Sequence, residues 1–208
     1  MYWDSIRIGG HIMENKIYAL VGPHASGKSR FAGELAALGL NYIPYYTTAP
    51  SYKTEAPAGE TTIAKSIDKL EFFKTDFIAK DTYKGSYVGI KKQDVLSAIC
   101  THRVSIVILT PSEIKQLSSL LKGTLETIYL MSDYVVIVER MLQLGHNNDE
   151  IKYHLEYAEN NSEFDLWKTS RHVVKNTGDP ADVMRQLMAI IGLTVPANPQ
   201  QVKEILGK

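Results

Sequence analysis

The chain has 208 residues, and its 23 basic side chains balance its 23 acidic ones, so the formal net charge is zero. This length accommodates one α/β domain with a small inserted subdomain, and the balanced charge argues against a nucleic-acid or membrane-surface partner. A single cysteine, Cys100, excludes an internal disulfide framework and fits a reducing cytosol. We therefore expect a cytoplasmic protein in which Cys100 is a small buried apolar side chain.

The sequence contains neither a long apolar run nor an apolar signal core near Met1. No apolar run approaches the ~20 residues that a membrane-spanning helix needs. Residues 1–11 have no apolar signal core, so we expect them to form an extension before the first strand. Met13 is an alternative to Met1 as the first residue.

The first half of the chain predicts short elements separated by loops that contain proline and glycine. In chain order we expect a strand at 16–21, a helix at 28–38, a short strand at 41–46 that Pro44 limits to a sheet edge or an irregular run, mostly loop at 47–62, a helix at 67–74 capped by Ser66, and strands at 77–80 and 86–90 around a turn at Gly85.

A phosphate-binding loop lies between the first strand and the first helix. Residues 22–29 read G-P-H-A-S-G-K-S, a complete G-x-x-x-x-G-K-S motif. This motif predicts a nest of backbone N–H groups aimed at phosphate, in which Gly22 and Gly27 allow turns that a side chain would block. Lys28 is predicted to reach the β- and γ-phosphates of ATP as a catalytic residue, and the Ser29 hydroxyl is predicted to bind Mg²⁺. The other predicted nucleotide-binding positions of the loop are His24, Ala25 and Ser26, with His24 a tolerated variable position and not a general base.

Helices and strands alternate in the second half of the chain. In chain order we expect a helix at 92–101, a strand at 104–109, a helix at 111–121 that Pro111 opens, a strand at 125–130, a helix at 133–144 capped by Ser132, a helix from 148 or 149 to 167 that breaks near 160–161, a strand at 172–175, a helix at 180–191 capped by Asp179, and a tail helix near 200–206. The strand at 104–109 is apolar except for one serine, which is typical of a parallel strand buried on both faces. We therefore predict a three-layer α/β fold of the P-loop NTPase type, with helices on both faces of a parallel sheet.

Four stretches of the chain carry a resemblance to a known family. They are 20–29 (LVGPHASGKS), 46–50 (YTTAP), 77–78 (FI) with 85–89 (GSYVG), and 149–155 (DEIKYHL) with 173–176 (VVKN). In order and spacing they resemble the guanylate kinase family of nucleoside monophosphate kinases, over about residues 16–192. The last stretch is similar to that family's final Val-x-Asn strand, which adds Asn176 to the nucleotide-binding residues that the resemblance implies.

The resemblance implies a division of the chain and a reaction. The core would comprise about 16–44 and 91–192, with an acceptor-binding insertion at about 45–90, a lid at about 140–150 and a C-terminal tail at 193–208. The implied reaction is transfer of the γ-phosphoryl group of ATP, with Mg²⁺, to a nucleoside monophosphate. The implied partners are small-molecule nucleotides, with neither nucleic acid nor membrane, and the chain would be a monomer or homodimer.

The sequence departs from the family pattern mainly where the acceptor would bind. The two phosphate-gripping arginines are replaced by Ala49 and Tyr52, and the guanine-reading glutamate is replaced by Ala79. Other family positions read Val88 for a tyrosine, Thr110 for an aspartate and His154 for an arginine, and residues 145–148 contain no arginine. Because bidentate arginine–phosphate contacts and polar base contacts carry much of the recognition, we expect GMP to be a poor acceptor.

The remaining candidate residues each have a structural alternative. Arg140 is predicted to stabilise charge on the transferred group, although a solvated helix arginine is equally consistent with the sequence. The predicted acceptor-binding residues are Tyr46, Tyr52, Asp81 and Tyr87, with Lys53, Lys80 and Lys84 as substitutes for the lost arginine charge. The alternatives are that the tyrosines pack inside a small insertion and that Asp81 is an ordinary turn residue.

Two classes of function follow from these patterns. The first is an ATP-dependent kinase acting on a small acceptor, either a nucleoside monophosphate or, as in the similar ribose bisphosphate phosphokinases, a sugar phosphate. The second is a regulatory or scaffold protein that binds nucleotide without transferring phosphate. Guanylate kinase-like domains used for peptide binding usually lose the phosphate loop, so the intact loop at 22–29 favours the enzyme.

Overall fold

The structure is a computed structural model that describes residues 7–8, 11–12, 15–49 and 64–193. Three predictions lie wholly or largely outside the described residues, namely Tyr52 with Lys53 as acceptor contacts, the loop at 47–62 and the tail helix near 200–206. The strands are β1 Arg7–Ile8, β2 His11–Ile12, β3 Lys16–Val21, β4 Asn41–Tyr42, β5 Tyr45–Thr47, β6 Ala64–Ser66, β7 Phe77–Tyr83, β8 Ser86–Lys91, β9 Val104–Ile108, β10 Leu125–Met131 and β11 His172–Lys175. The helices are α1 Lys28–Ala37, α2 Lys69–Lys74, α3 Lys92–Thr101, α4 Pro111–Ser118, α5 Tyr134–Gln143, α6 Asn148–Asn160 and α7 Pro180–Ile190, with a 3₁₀ helix at Glu163–Lys168.

A five-stranded parallel sheet forms the centre of the molecule. Its strand order is β11-β10-β3-β9-β4, so β3 lies between β10 and β9. In a parallel sheet the carboxyl ends of the strands meet at one edge, and ligands bind there. The phosphate loop leaves β3 at this edge, where the segments that follow β9 and β10 also emerge.

Both faces of the central sheet are covered by helices. Alternate residues of β3 point to opposite faces, and Ala19 and Leu20 are both fully buried. Ala19 belongs to a core cluster that includes Val95 of α3 and Leu117 of α4, whereas Leu20 belongs to one that includes α1 and α7 side chains such as Phe31 and Leu187. The predicted three-layer fold is therefore confirmed. Among the described helices, none combines the length and apolar character that crossing a bilayer requires.

A second, four-stranded sheet occupies the part of the chain predicted as the acceptor-binding insertion. Its order is β6-β5-β8-β7, with β8 antiparallel to both β5 and β7. A small core cluster of its own contains Tyr46, Ile67, Phe72 and Phe77. The rings of Phe72 and Phe77 stack with centroids 4.3 Å apart. Helix α2 thus covers this sheet by burying one aromatic side chain against it.

Several local predictions for the insertion are wrong. The segment 41–46 follows the alternative of an irregular run, because Pro44 separates β4, at the edge of the central sheet, from β5 of the second sheet. Thr47 belongs to β5 and not to the predicted loop. Ser66 ends β6 and does not cap α2, which is capped by Asp68, whose side chain accepts from Leu70 N. The strand predicted at 77–80 continues to 83, so Asp81 lies within β7 and is not a turn residue.

Two predictions outside the insertion are also wrong. Cys100 is exposed on α3 and is not a buried apolar residue, because it faces away from the side of the helix that carries Val95 and Ala98. Ser132 does not cap α5, which begins after Asp133. Its hydroxyl donates instead to Asn176 O at 3.2 Å. The predicted break of the long helix near 160–161 is confirmed by the end of α6 at Asn160.

Candidate functional site

The phosphate loop has a backbone that requires glycine at two positions. Gly22 has φ +141° and Gly27 has φ +96°, and Ala25 also lies in the left-handed region at φ +60°. A Cβ on Gly22 would lie 3.0 Å from Ser26 Oγ and 3.1 Å from Leu130 O, which is closer than ordinary contact. The loop is therefore held in a conformation that a side chain at Gly22 or Gly27 would strain.

Asn176, at the end of β11, holds this loop against the central sheet. Its Nδ2 donates to Ser26 O at 2.9 Å, and its own backbone N donates to Met131 O at 2.6 Å. The side chain is buried, at 3% exposure. Asn176, which the resemblance implied as a nucleotide-binding residue, is thus placed directly against the loop, with its amide group bonded to the loop backbone.

Arg140 of α5 also contacts the phosphate loop. Its guanidinium donates to Ala25 O at 3.4 Å, to Ser132 Oγ at 3.1 Å and to Asn176 O at 3.0 Å. Burial, followed by the charge of Arg30, lowers the pKa of Arg140. The residue predicted to be catalytic therefore lies beside the loop, where its observed contacts are with loop and strand-end acceptors.

Lys28 and Ser29 open helix α1. The ammonium group of Lys28 donates to Gly22 O at 2.6 Å and to Pro23 O at 2.7 Å, so it lies over the loop. Burial lowers its pKa to about 8, and the opposite charge of Glu163 acts the other way. Ser29 is exposed in the first turn of α1, which contains no acidic residue and whose N-cap, Gly27, has no capping side chain. The free backbone N–H groups and the dipole of α1 therefore favour an anion at the amino-terminal end of this helix.

The two described acceptor-binding tyrosines pack inside the insertion. Tyr46 is only 9% exposed and contacts Phe77 with ring centroids 6.0 Å apart. Burial, together with Asp94, raises the pKa of Tyr46 to about 12. Tyr87 is half-buried, and its ring lies 5.0 Å from that of Phe73. These contacts match the alternative that the tyrosines fill the core of the insertion, and the contacts predicted with an acceptor stay a prediction.

Asp81 joins the insertion to the central sheet. Its carboxylate accepts from Thr110 Oγ1 at 2.8 Å, directly after β9. Thr110 caps α4 in a capping box with Glu113, whose carboxylate accepts from Thr110 N at 2.9 Å. Burial and the nearby Asp81 charge raise the pKa of Glu113 to about 7, although its hydrogen bonds with Thr110 act in the opposite direction. The sequence predicted Asp81 as a site residue but did not predict this network.

A cluster of three histidines lies beside the loop. One ring nitrogen from each of His24, His146 and His154 lies within 4.8 Å of the others. His24 is in the phosphate loop, His146 is in the connection between α5 and α6, and His154 is on α6. The sequence pointed to His24 and His154 separately but did not predict the cluster, because 122 residues separate His24 from His146 and no local spacing relates them.

The rings of the cluster make defined contacts, and burial lowers the pKa of two of them. His24 Nε2 and His146 Nε2 are 3.2 Å apart, and the rings of His24 and His154 stack with centroids 3.9 Å apart. His154 Nδ1 lies 2.6 Å from the hydroxyl of Tyr83 at the end of β7. Burial, followed by the neighbouring His154 and Lys28 charges, lowers the pKa of His24 to about 2. Burial also lowers the pKa of His154 to about 4, so both rings are neutral at pH 7.

Comparison with known proteins gives a structural match and no sequence match. No protein-family model matches the chain, and no curated protein sequence matches it. Among solved structures, the chain is similar to guanylate kinase from Anaplasma phagocytophilum, with a TM-score of 0.60 and 12% sequence identity. The similarity covers 86% of this chain and 86% of that one. At this identity the likeness establishes a guanylate kinase-like fold and nothing finer.

Proposed function

We propose that this protein binds ATP at the phosphate loop and transfers its γ-phosphoryl group to a small acceptor, a nucleoside monophosphate. The observation that carries the proposal is the loop itself, whose backbone conformation, lysine and helix N-terminus together form an anion site. The guanylate kinase-like fold agrees with this choice of reaction class. The proposed donor and cofactor are ATP and Mg²⁺.

The residues of the loop suit a triphosphate. The ammonium group of Lys28 lies over the loop and donates hydrogen bonds to two loop carbonyl oxygens. A bound phosphate would take the place of these carbonyl oxygens as the acceptor. Ser26 Oγ is fully buried inside the loop and has no hydrogen-bond partner among the described residues. Ser29 presents an exposed hydroxyl oxygen, the kind of hard ligand that Mg²⁺ accepts. When bound, Mg²⁺ would neutralise charge on the β- and γ-phosphates.

The proposed step is a simple displacement. The bond between the γ-phosphorus and the β–γ bridging oxygen breaks, a bond to an acceptor oxygen forms, and ADP leaves with the electron pair. Such a step depends on positioning and charge stabilisation, so the protein needs cations at the transferred group. Lys28 supplies one, and Arg140, predicted as a second, fixes the carbonyl of Ala25 and thereby supports the loop conformation.

The acceptor side supports a substrate other than GMP. Ala79 stands where the family has its guanine-reading glutamate, and it is 1% exposed within the core cluster of the central sheet. Ala49 is half-buried and offers no side-chain charge to an acceptor phosphate. Because a missing polar contact in a base-reading site lowers discrimination steeply, GMP should be turned over poorly. The other described polar groups on this side include Asp81 and Tyr83.

The test measures ATP consumption with a panel of nucleoside monophosphates and sugar phosphates. The Lys28→Ala variant should weaken ATP binding by about 10-fold or more, because a hydrogen bond to a charged group contributes about 1.5–3 kcal/mol. Lys122→Ala removes an exposed lysine just before β10, at the edge of the central sheet opposite the loop, and is the matched control that should behave like the wild type. Binding is measured by calorimetry and turnover by ADP release.

The outcomes separate the alternatives. Turnover that requires one nucleoside monophosphate and disappears in Lys28→Ala supports the proposal. ATP binding without turnover on any acceptor would refute a kinase and favour a nucleotide-binding regulatory protein. Turnover with a sugar phosphate alone would keep phosphoryl transfer and replace the proposed acceptor. Efficient phosphorylation of GMP would contradict the argument from Ala49 and Ala79.

A further inference from the structure

We infer that His24, His146 and His154 form a binding site for a divalent transition-metal ion, with Zn²⁺ the best match. The site would connect the phosphate loop to the segment predicted as the lid. It goes beyond the proposed kinase activity and does not depend on it, because no atom of ATP or of an acceptor takes part.

The spacing of the ring nitrogens supports ligation. Two imidazole nitrogens bound tetrahedrally at about 2.0–2.1 Å from one Zn²⁺ lie roughly 3.3 Å apart. The observed distance between His24 Nε2 and His146 Nε2 is 3.2 Å. All three ligand atoms lie within 4.8 Å of one another, so the nitrogen of His154 needs a displacement of order 1 Å. Because the His24 and His154 rings are stacked almost parallel, with 6° between their planes, binding of the ion requires the His24 ring to rotate out of the stack.

A second, independent observation comes from His154. Its side chain is 3% exposed, and its Nε2 is buried without a hydrogen-bond partner among the described residues. A buried polar atom in this state is costly unless a ligand satisfies it. Its other nitrogen, Nδ1, lies 2.6 Å from Tyr83 Oη. With Nε2 on a metal ion, Nδ1 carries the proton and donates to Tyr83, which is the supporting contact that metal-binding histidines usually have.

His146 has a similar supporting partner. Its Nδ1 lies 3.5 Å from the carboxylate of Glu150 in the first turn of α6, while its Nε2 faces His24. A carboxylate behind a histidine orients the ring and raises its basicity as a ligand. The Glu150 carboxylate is itself fixed by Asn147 N in the capping box of α6. Two of the three histidines are therefore oriented by a group on the side away from the cluster.

The chemistry of the site selects the type of ion. Neutral imidazoles favour Zn²⁺, Cu²⁺, Ni²⁺ and Fe²⁺, whereas Mg²⁺ prefers oxygen ligands. The positive charges of Lys28 and Lys84 oppose a dication here, and the carboxylate of Glu150 favours it. Three histidines leave a fourth position for water or an anion.

The experiment uses the full chain, stripped of metal by a chelator and free of nucleotide. Co²⁺ is added as a spectroscopic probe, and Zn²⁺ then displaces it. We expect one ion per chain, with the visible absorption of a tetrahedral Co²⁺ site, and no displacement by millimolar Mg²⁺. A Zn²⁺ concentration 100-fold above its Kd should raise Tm by about 5–10 °C, because the ion binds the folded chain.

Variants assign the ligands. His24→Ala and His146→Ala should each weaken Zn²⁺ binding by more than the roughly 10–100-fold expected for the supporting change Tyr83→Phe. His102→Ala, which removes an exposed histidine at the end of α3, is the matched control and should bind as the wild type does. Circular dichroism checks that each variant is folded.

Three results would overturn the proposal. One is the absence of a saturable 1:1 site in the wild-type chain, which needs no variant to interpret. Another is an octahedral Co²⁺ spectrum, since it would indicate ligands other than three imidazoles. The third is unchanged affinity in both His24→Ala and His146→Ala. None of these results bears on ATP binding, so failure of the metal site is distinguishable from failure of the proposed kinase activity.

Discussion

The conformation of Gly27 provides the sharpest test of how the phosphate loop is held. An alanine Cβ at this position would lie 2.8 Å from Asn176 Nδ2 and 3.1 Å from the ring of Phe31. Asn176 cannot easily give way, because it is 3% exposed and its Nδ2 is bonded to Ser26 O. Gly27→Ala should therefore displace this amide group as well as strain the backbone at φ +96°.

The two contributions can be separated by a matched control. Gly39 has nearly the same φ, +94°, and a Cβ there would meet nothing within 4 Å. Gly39→Ala should thus lower the free energy of unfolding only by the left-handed backbone penalty, about 1–2 kcal/mol. Part of this penalty is offset, because alanine reduces the conformational entropy of the unfolded chain. Gly27→Ala carries the same terms plus about 1–3 kcal/mol for leaving the buried Asn176 amide and Ser26 carbonyl unpaired. The free energy of unfolding should therefore fall further in Gly27→Ala by about 1–3 kcal/mol.

Urea denaturation of both variants measures this difference. A double-mutant cycle assigns it, since Gly27→Ala made in an Asn176→Ala background should lose the part of the extra cost that comes from the Asn176 amide and keep only the tight contact with Phe31. Equal losses in Gly27→Ala and Gly39→Ala, within about 0.5 kcal/mol, would refute the reasoning. So would an undiminished extra cost in the Asn176→Ala background, because the contact held responsible is then already absent.

Two further predictions concern the insertion and a buried carboxylate. Phe72→Ala should lower the free energy of unfolding by about 3–5 kcal/mol, because the Phe72 ring is 1% exposed and stacks on Phe77. The control is Leu70→Ala on the same helix, which should change the free energy of unfolding by less than about 0.5 kcal/mol because Leu70 is 73% exposed. Urea denaturation compares the two, and similar losses would contradict the packing described. The raised pKa of Glu113, about 7 against 4.5, means that the folded state keeps a proton that the unfolded chain releases between these pH values. Stability should therefore fall by up to about 3 kcal/mol as pH rises from 4.5 to 7, and Glu113→Gln should lack this component in urea titrations at pH 5 and 7.5. An identical pH dependence in the variant would show that another group is responsible.

Much of the fold is predictable because its signals are local. The apolar strand, the glycine loop and the following helix occupy consecutive residues, so the loop at 22–29 and its position at a strand end follow from sequence alone. The same holds for α4, whose start is specified by Thr110, Pro111 and Glu113 within four residues. Continuous apolar strands alternating with helices were sufficient to predict a parallel sheet covered on both faces.

Predictions failed where a residue's partner lies far along the chain. Residues 64–66 pair with β5 as a strand, because pairing and not propensity decides the conformation of so short a polar segment. Ser132 was predicted to cap the helix beside it, but Asn176, 44 residues later, is its partner. The exposure of Cys100 depends on which side of α3 faces the sheet, and composition contains no information about that.

The sequence by itself determined the phosphate loop, since eight consecutive residues encode its backbone turns, its lysine and its hydroxyl. Only the tertiary structure decided what surrounds that loop. Parallel strands bring their carboxyl ends to one edge, and this placed Asn176 and Arg140 against the loop backbone. The same convergence brought His146 and His154 to His24, although each is more than a hundred residues away from it. Contacts of that separation have no local pattern, so the histidine cluster became visible only when the chain was folded.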